Sequence, residues 1–192
     1  MTASEISERP VIYSMGAVSL DGLIAGPDGD IGWGEPDEEL FRFHTEQMRE
    51  VGVQLCGRRL YETMLYWEMP EEELPGPLHV EWARVWRPVP KLVFSTTLEA
   101  VAGNATLARR GVAEEVAELK RQPGKAIAVG GAGLASALIA LDLVDEYRLF
   151  LSPVVLGGGT PYFPALERRI DLELVQTRTF GSRVVYVRYR RR

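Results

Sequence analysis

The sequence predicts an α/β fold, in which a mixed, mostly parallel central sheet is flanked by helices and ends in an antiparallel hairpin. Two strand-to-helix junctions predict the parallel part of the sheet. One apolar strand ends at Gly57 and another at Gly130, and a helical pattern follows each glycine. Two strand-like runs at 172–177 and 183–189 flank a short turn, and they predict the hairpin.

Composition narrows the class of protein. The chain has 192 residues, which suits one domain, and we expect that domain over residues 11–192 after a flexible tail at residues 1–10. The net charge of −5 does not favour binding to nucleic acid or to an anionic membrane. The single cysteine, Cys56, cannot form an internal disulfide, and we find neither a secretory leader nor a membrane-spanning run. We expect a cytoplasmic protein.

The first strand leads into a long loop. Residues 11–18 form a strand-like apolar run, and turn-forming residues at 19–22 end it. Residues 22–34 are rich in glycine and fit no regular element, yet they include apolar side chains such as Trp33. A loop of this kind forms either a lid over a pocket or an ordinary surface excursion, and the sequence leaves both open.

Helix and strand signals then alternate along the chain. Proline and acidic residues at 35–39 open a helix whose apolar positions continue to residue 51, and a strand at 53–56 leads through Gly57 into a helix at 60–67. The further expected elements are a helix at 78–86, strands at 91–94 and 105–108, a helix at 112–121, and a strand at 145–155 that ends in a glycine loop at 156–161.

Two junctions carry side chains suited to phosphate. Arg58 and Arg59 follow Gly57, and guanidinium groups present forked donors to phosphate, although solvated arginines at a helix start explain that motif more simply. The hydroxyls of residues 95–97 follow another strand, where they either cap the chain or bind a phosphate.

The junction within residues 125–141, KAIAVGGAGLASALIAL, is the feature that the other motifs surround. Its glycines leave backbone N–H groups open at the start of a helix, where the helix dipole favours an anion; a tight turn without ligand is the alternative. Residues 131–136 come close to the G-x-G-x-x-G fingerprint. Their position late in the chain excludes the usual doubly wound dinucleotide fold.

The remaining polar patterns indicate no further ligand. His44 lies on an apolar helix face and His79 has no partner at metal-ligand spacing, so we assign no metal site. Arginines at 188 and 190–192 suit RNA, but strand alternation and the chain end explain them more simply. We expect a small-molecule ligand, and neither nucleic acid nor membrane as a partner.

Ligands of open α/β sheets bind outside the carboxyl ends of the strands. Four junctions of glycine or hydroxyl residues are predicted at such ends: 19–22, 57–59, 95–97 and 130–133. Together they predict one sheet edge that holds an extended ligand with phosphates at more than one point.

The order of these motifs resembles the dihydrofolate reductase-like superfamily, and more closely the branch that includes the reductase domain of the bifunctional riboflavin-biosynthesis enzyme. The matching segments are SLDGLIAGPDGDIGW, LCGRRLYETM, KLVFSTTL, IAVGGAGLASALI and EYRLFLSPVVLGGGTPYFP. The resemblance implies a sheet that binds NADPH. It also implies a homodimer and an oxidoreductase similar to dihydrofolate reductase or to 5-amino-6-(5-phosphoribosylamino)uracil reductase.

The resemblance also implies roles for single residues. Those that would hold the adenosine-side phosphates and the 2′-phosphate region are Gly57, Arg58, Arg59, Ser95 and Thr96. Those that would surround the pyrophosphate and nicotinamide are Gly130, Gly131, Ala132, Gly133, Leu134, Ala17, Ile24 and Trp33. Those that would contact substrate are Asp21, Trp33 and Gly158. Leu60 departs from the pattern, since classical reductases favour a threonine hydroxyl there.

The proton donor is the least defined part of the site. Asp21 is the best-placed acid by sequence, and a turn aspartate beside Gly22 is the alternative. Classical dihydrofolate reductases hold the pterin with an acid on the helix after the loop; Glu38, Glu39 and Glu46 lie on that helix here, but none is fixed in register with the family's position. We therefore expect an NADPH-dependent reductase of a small heterocycle, pterin- or pyrimidine-like, or of a carbonyl or imine. A non-catalytic NADPH-binding protein is the alternative.

Overall fold

The computed structural model describes residues 9–192, so the predicted tail at residues 1–10 lies almost entirely outside the described residues. The strands are β1 Val11–Ser14, β2 Val18–Ser19, β3 Leu23–Ala25, β4 Val51–Gly57, β5 Lys91–Phe94, β6 Ala105–Leu107, β7 Ala126–Gly130, β8 Glu146–Ser152, β9 Thr160–Pro161, β10 Leu172–Thr179 and β11 Val185–Arg191. The helices are α1 Glu38–Arg49, α2 Arg58–Met64, α3 Pro77–Trp86, α4 Val112–Arg121 and α5 Ala132–Ala140. Short 3₁₀ turns occupy Gly32–Gly34, Leu65–Glu68 and Glu71–Glu73.

One mixed sheet organises the fold, with the strand order β10-β11-β8-β1-β7-β4-β5-β6. The pairings from β8 through β6 are all parallel, and β2 extends β8 in parallel. β11 is antiparallel to both β8 and β10. This confirms the predicted fold class, including the terminal antiparallel hairpin.

The core lies where the central strands meet α5. Side chains of β1, β4 and β7 such as Val11, Leu55 and Ile127 are fully buried, and they form one cluster with Leu138 of α5. Strands of a parallel sheet covered on both faces are expected to be apolar throughout, as the run in β7 is.

Helix α1 differs from the prediction at its end. The Asp37 carboxylate caps it by accepting a hydrogen bond from the Leu40 N–H at 2.9 Å. The apolar positions were predicted to continue in the helix to residue 51, but the helix ends at Arg49, and residues 51 and 52 already belong to β4. A side chain at Gly52 would lie 3.0 Å from the Lys125 carbonyl oxygen, so this glycine allows β4 and the chain before β7 to approach.

Three other predictions are corrected by the structure. The apolar run at 11–18 is two strands, since β1 pairs with β7 and β8 while β2 pairs with β8 alone. The loop at 22–34 contains β3, which forms a second, two-stranded sheet with β9. The strand predicted at 145–155 ends at Ser152. No helix among residues 9–192 is long and apolar enough to cross a bilayer.

Candidate functional site

Three of the predicted junctions lie side by side at the carboxyl edge of the sheet. Cys56 of β4 is paired with Gly130 of β7, and Gly57 is paired with Phe94 of β5, so the segments after these strands are neighbours. The fourth junction, at 19–22, lies on the same edge beyond β1, because Ser19 of β2 is paired with Ser152 of β8. The predicted common edge is therefore present.

The two glycines at the start of α5 differ in their surroundings. A Cβ on Gly130 would lie 2.6 Å from Cδ2 of Leu60, so a side chain there would force the Leu60 side chain to move. Gly131 has φ of +84°, which glycine adopts readily. Its N–H donates to the Met15 sulfur at 3.3 Å. Because a thioether is a weak acceptor, a phosphate oxygen can replace it.

The first turn of α5 follows directly. Ala132 and Leu134 are partly buried, and Gly133 is exposed with nothing near the position that a Cβ would take. Gly133 therefore leaves room for a ligand close to the backbone at a helix N-terminus.

A polar cavity of about 500 Å³ lies between the start of α2, the end of β5 and the start of α4. Its polar lining includes the predicted residues Arg58, Ser95 and Thr96. Arg58 is held in place, since its guanidinium donates to Thr97 Oγ1 at 2.9 Å and to Glu62 at 2.8 Å. Arg59 is exposed and is not among the lining residues.

A second arginine pair completes this cavity. Arg109 and Arg110 line it from the loop before α4. Their N–H groups donate to Glu115 Oε1 at 3.2 and 3.1 Å, which fixes the loop. The Arg110 guanidinium lowers the pKa of Glu115. We did not predict these residues, although the Arg109-Arg110-Gly111 sequence at a helix start repeats the chemistry of the 57–59 motif and was a usable signal.

An apolar cavity of about 370 Å³ lies between one face of the sheet and helices α1 and α3, and it reaches the carboxyl ends of β1 and β7 at Ser14 and Gly130. Its aromatic lining comes from α1, the segment after α2, α3 and β8: Phe41, Trp67, Trp82, Trp86 and Phe150. Methionines 15, 48 and 64 fill the spaces between them. Trp82 and Trp86, four residues apart on α3, therefore both form part of the cavity wall.

His44 supplies a polar group to the apolar cavity. Its ring centroid lies 4.3 Å from that of Phe150. Burial lowers the His44 pKa to about 4, which leaves the imidazole uncharged at neutral pH. Sequence analysis placed His44 only on an apolar helix face, and nothing in the sequence alone indicated a cavity there.

Asp21 lies in the turn after β2, where its carboxylate accepts hydrogen bonds from the backbone of the loop after β8. Its carboxylate accepts hydrogen bonds from the Ser19 hydroxyl at 2.6 Å and from the N–H groups of Leu156 and Gly157 at 3.2 and 2.8 Å. The Ser19 hydroxyl, followed by the Gly157 N–H, lowers the pKa of Asp21 to about 2. These contacts favour a loop-positioning role over proton donation.

The loop at 22–34 packs against the rest of the edge. A Cβ on Gly34 would lie 2.5 Å from that of Ala17, so the 3₁₀ turn that carries Trp33 rests on this position. Trp33 is half-buried and donates from Nε1 to the Asp30 carbonyl at 3.1 Å. Ile24 packs on the main core. None of these three predicted residues is among those that line the apolar cavity.

Gly158 lies in the loop before β9, where its backbone faces Pro27. The loop is held close, because Gly159 has φ of +134° and a Cβ there would lie 2.0 Å from the Ala25 carbonyl oxygen. The predicted residues at this end therefore belong to one packed unit, separate from the aromatic walls.

The acids of α1 do not enter the apolar cavity. Glu38 pairs with Arg42 at 2.9 Å and Glu39 with Arg178 at 2.8 Å, and Glu46 pairs with Arg49, all on the surface. Across residues 9–192, no group of three or more His, Cys, Asp or Glu side chains is placed to hold a metal ion.

Comparison with known proteins establishes the family. The model of the RibD C-terminal domain matches residues 10–186. The chain belongs to the RibD C-terminal domain family. This RibD C-terminal domain protein is 36% identical over 187 residues to YyaP, an uncharacterized protein of Bacillus subtilis (strain 168), with 97% of each chain covered.

Two solved structures share its fold. A protein of Shewanella sp. PV-4, provisionally named a riboflavin biosynthesis protein, superposes with a TM-score of 0.75 at 21% identity and covers 96% of this chain and 99% of its own. Dihydrofolate reductase of Enterococcus faecalis, solved with NADP(H), gives a TM-score of 0.63 at 18% identity and covers 95% and 96%. The predicted resemblance to the dihydrofolate reductase-like superfamily and its riboflavin branch is confirmed, and the fold is reductase-like.

Proposed function

We propose that this RibD C-terminal domain protein is an NADPH-dependent reductase of a small heterocyclic, carbonyl or imine compound. One observation carries the proposal: a cavity lined by arginines and hydroxyls and a cavity lined by aromatic rings both reach the carboxyl ends of the central strands, the first at Phe94 and the second at Gly130. A phosphorylated cofactor at the first cavity and a flat substrate ring in the second match this arrangement.

The polar cavity suits the phosphorylated ribose of NADPH. Arg58 and Arg109 bring positive charge, and Ser95 and Thr96 bring hydroxyls, which together form a donor set typical of phosphate sites. The glycine pair and the first turn of α5 would meet the pyrophosphate, and Ala17 and the loop that carries Ile24 and Trp33 would border the nicotinamide. The structure of the Enterococcus faecalis relative with NADP(H) supports this choice of cofactor.

The chain's own residues would position the substrate and exclude water. NADPH, when bound, supplies a hydride, and the reduced substrate takes up one proton. Asp21 and His44 both have a lowered pKa, about 2 and about 4, so neither carries an available proton at neutral pH. We therefore assign the proton to water, and we assign Asp21 to holding the loop at 156–157.

A non-catalytic NADPH-binding protein is the second candidate. The feature that favours it is the lack of an acid among the described residues that line the aromatic cavity. NADPH oxidation with a panel of aromatic heterocycles and carbonyl compounds separates the enzyme from the non-catalytic protein, because a non-catalytic protein binds NADPH and turns over none of the compounds.

The homodimer and the cytoplasmic location stay predictions. Light scattering of the purified protein tests whether it is a homodimer.

Thermal unfolding with NADPH, NADH and ATP tests cofactor binding. A ligand at about 100 times its dissociation constant adds about 2.7 kcal/mol to the free energy of unfolding, so NADPH should raise the midpoint most. Arg58→Ala should remove the advantage of NADPH over NADH. Arg42→Ala, which removes a surface arginine paired with Glu38, is the matched control. Equal responses of the wild type to NADPH and NADH would reject the 2′-phosphate site.

A further inference from the structure

We infer that the aromatic cavity selects uncharged, planar aromatic compounds that carry a carbonyl group, and discriminates against phosphorylated or carboxylated ones. The inference deepens the proposed function, because it names the substrate class of the same site. It can be tested without cofactor, since it concerns binding to the cavity walls alone.

The walls provide flat apolar surface on several sides. Phe41, Trp67 and Trp82 form one continuous aromatic group, with ring centroids 5.8 to 6.3 Å apart. Trp86 and Phe150 add further rings to the lining. Aromatic rings of a ligand stack or pack edge-on against such walls and lose contact with water, which stabilises a planar apolar guest.

Charge in the lining is fully compensated. Arg148 is the one charged residue among the described residues that line the cavity. Its Nε donates to Glu146 at 2.7 Å, its Nη2 to Glu50 at 3.0 Å, and its Nη1 to the Gln47 side chain. Glu146 also accepts from Arg188 at 2.7 Å, so two cations face two anions.

An anionic substrate group would find no unpaired cation among the described residues of this lining. Burying a phosphate or carboxylate without a counter-charge is strongly unfavourable. The compensated Arg148 network therefore argues against a phosphoribosyl group inside the cavity. The surface ion pairs of the α1 acids leave no carboxylate there for the ring of a pterin.

Apart from Arg148, the polar groups that line the cavity are neutral. Ser14 and Gln54 contribute a hydroxyl and an amide, and His44 is an uncharged imidazole at neutral pH. The Ser14 hydroxyl and the Gln54 amide can each donate a hydrogen bond. Donors in an otherwise apolar lining favour a ligand with an acceptor over a pure hydrocarbon. A carbonyl oxygen supplies that acceptor without charge.

Tryptophan fluorescence of the protein without cofactor tests the inference, since three of its four tryptophans line the cavity. The probes are naphthaldehyde and naphthoate, which share a ring system and differ in charge. Naphthaldehyde should quench the emission saturably and raise the thermal midpoint, and naphthoate should bind at least about tenfold more weakly. Equal or tighter binding of naphthoate would overturn the inference.

A charge-inserting variant sharpens the test. Met64 lines the cavity at the end of α2, where a lysine stem can pack on apolar surface and the helix dipole favours a cation. Met64→Lys should invert the preference and bind naphthoate more tightly than naphthaldehyde. Leu65→Lys adds the same charge at the neighbouring exposed position outside the lining and should keep the wild-type preference. An unchanged preference in folded Met64→Lys would contradict the assignment of the cavity.

A truncation variant covers the case in which Met64→Lys fails to fold. Trp67→Leu removes part of the wall and should weaken naphthaldehyde binding several-fold while NADPH still raises the thermal midpoint. Undiminished naphthaldehyde binding in this variant would place the probe elsewhere. If NADPH gives no shift in the wild type but the probe preference holds, the proposed cofactor fails and the cavity assignment stands.

Discussion

The hydroxyl of Tyr162 donates to the backbone carbonyl of Tyr13 at 2.9 Å, and the hydroxyl of Tyr13 donates back to the carbonyl of Tyr162 at 3.1 Å. The two rings are stacked with centroids 4.1 Å apart, and both side chains are almost fully buried. This reciprocal pair ties the end of β9 to β1, the strand that leads to the aromatic cavity.

Tyr162→Phe should lower the free energy of unfolding by about 1–3 kcal/mol, because it leaves the buried Tyr13 carbonyl without this donor. Urea unfolding followed by circular dichroism measures the change. Tyr66→Phe removes an exposed hydroxyl and should change stability by less than about 0.5 kcal/mol. A Tyr162→Phe protein as stable as the wild type would mean that the paired hydroxyls contribute little net energy.

Gly159→Ala should destabilise the protein by about 2 kcal/mol or more. The reason is twofold, since Gly159 has a positive φ and its new Cβ would collide with the Ala25 carbonyl oxygen. Gly158→Ala is the matched control, because its Cβ would make an ordinary 3.7 Å contact with Pro27. Thermal and urea unfolding of both variants give the comparison, and equal losses would contradict the tight packing of this loop on β3.

Arg109→Ala should weaken NADPH binding by about tenfold and leave NADH binding nearly unchanged, because a charge-assisted bond to the 2′-phosphate would be lost. The difference should shrink in high salt, since the site is exposed and screened. Isothermal titration at two ionic strengths measures both effects. Arg121→Ala, at the far end of α4, serves as control. Parallel losses for the two cofactors would remove Arg109 from the 2′-phosphate site.

Stability should fall as pH falls from about 6.5 to about 4, and His44 should account for part of that slope. The folded-state pKa of His44 is lowered to about 4 from 6.5, so in this window the unfolded state binds more protons and acid favours unfolding. Its share is up to about 1.4 kcal/mol per pH unit.

His44→Gln should flatten the dependence of the free energy of unfolding on pH, measured by urea unfolding at pH 7 and pH 4.5. His79→Gln removes the only other histidine and should retain the slope contributed by His44. Identical slopes in the wild type and His44→Gln would show that the His44 imidazole is not held in its neutral form.

The closeness of the strand-end junctions could be predicted from sequence, because their residues follow strand ends directly. Parallel strands bring their carboxyl ends to one edge, so Gly57, Ser95 and Gly130 had to become neighbours once the strands were recognised. Their glycine and hydroxyl content is local information, visible without knowing any distant contact.

The aromatic cavity could not be predicted in the same way. Phe41, Trp67 and Trp82 come from separate elements, and each alone has the appearance of an ordinary core residue. Only the packing of α3 over the sheet edge decides that they enclose a space. The engagement of Asp21 with the 156–157 amides depends on a similarly distant contact, which sequence periodicity does not report.

The small sheet of β3 and β9 couples two segments that are far apart in the sequence, so that they open together. The loop after β2 cannot lift from the domain without breaking its pairing to residues that follow β8. Slow hydrogen exchange at either strand would therefore report the opening of both. A chimaera that takes the β3 loop from a relative must therefore take the β9 segment from the same relative, because the two strands pair with each other.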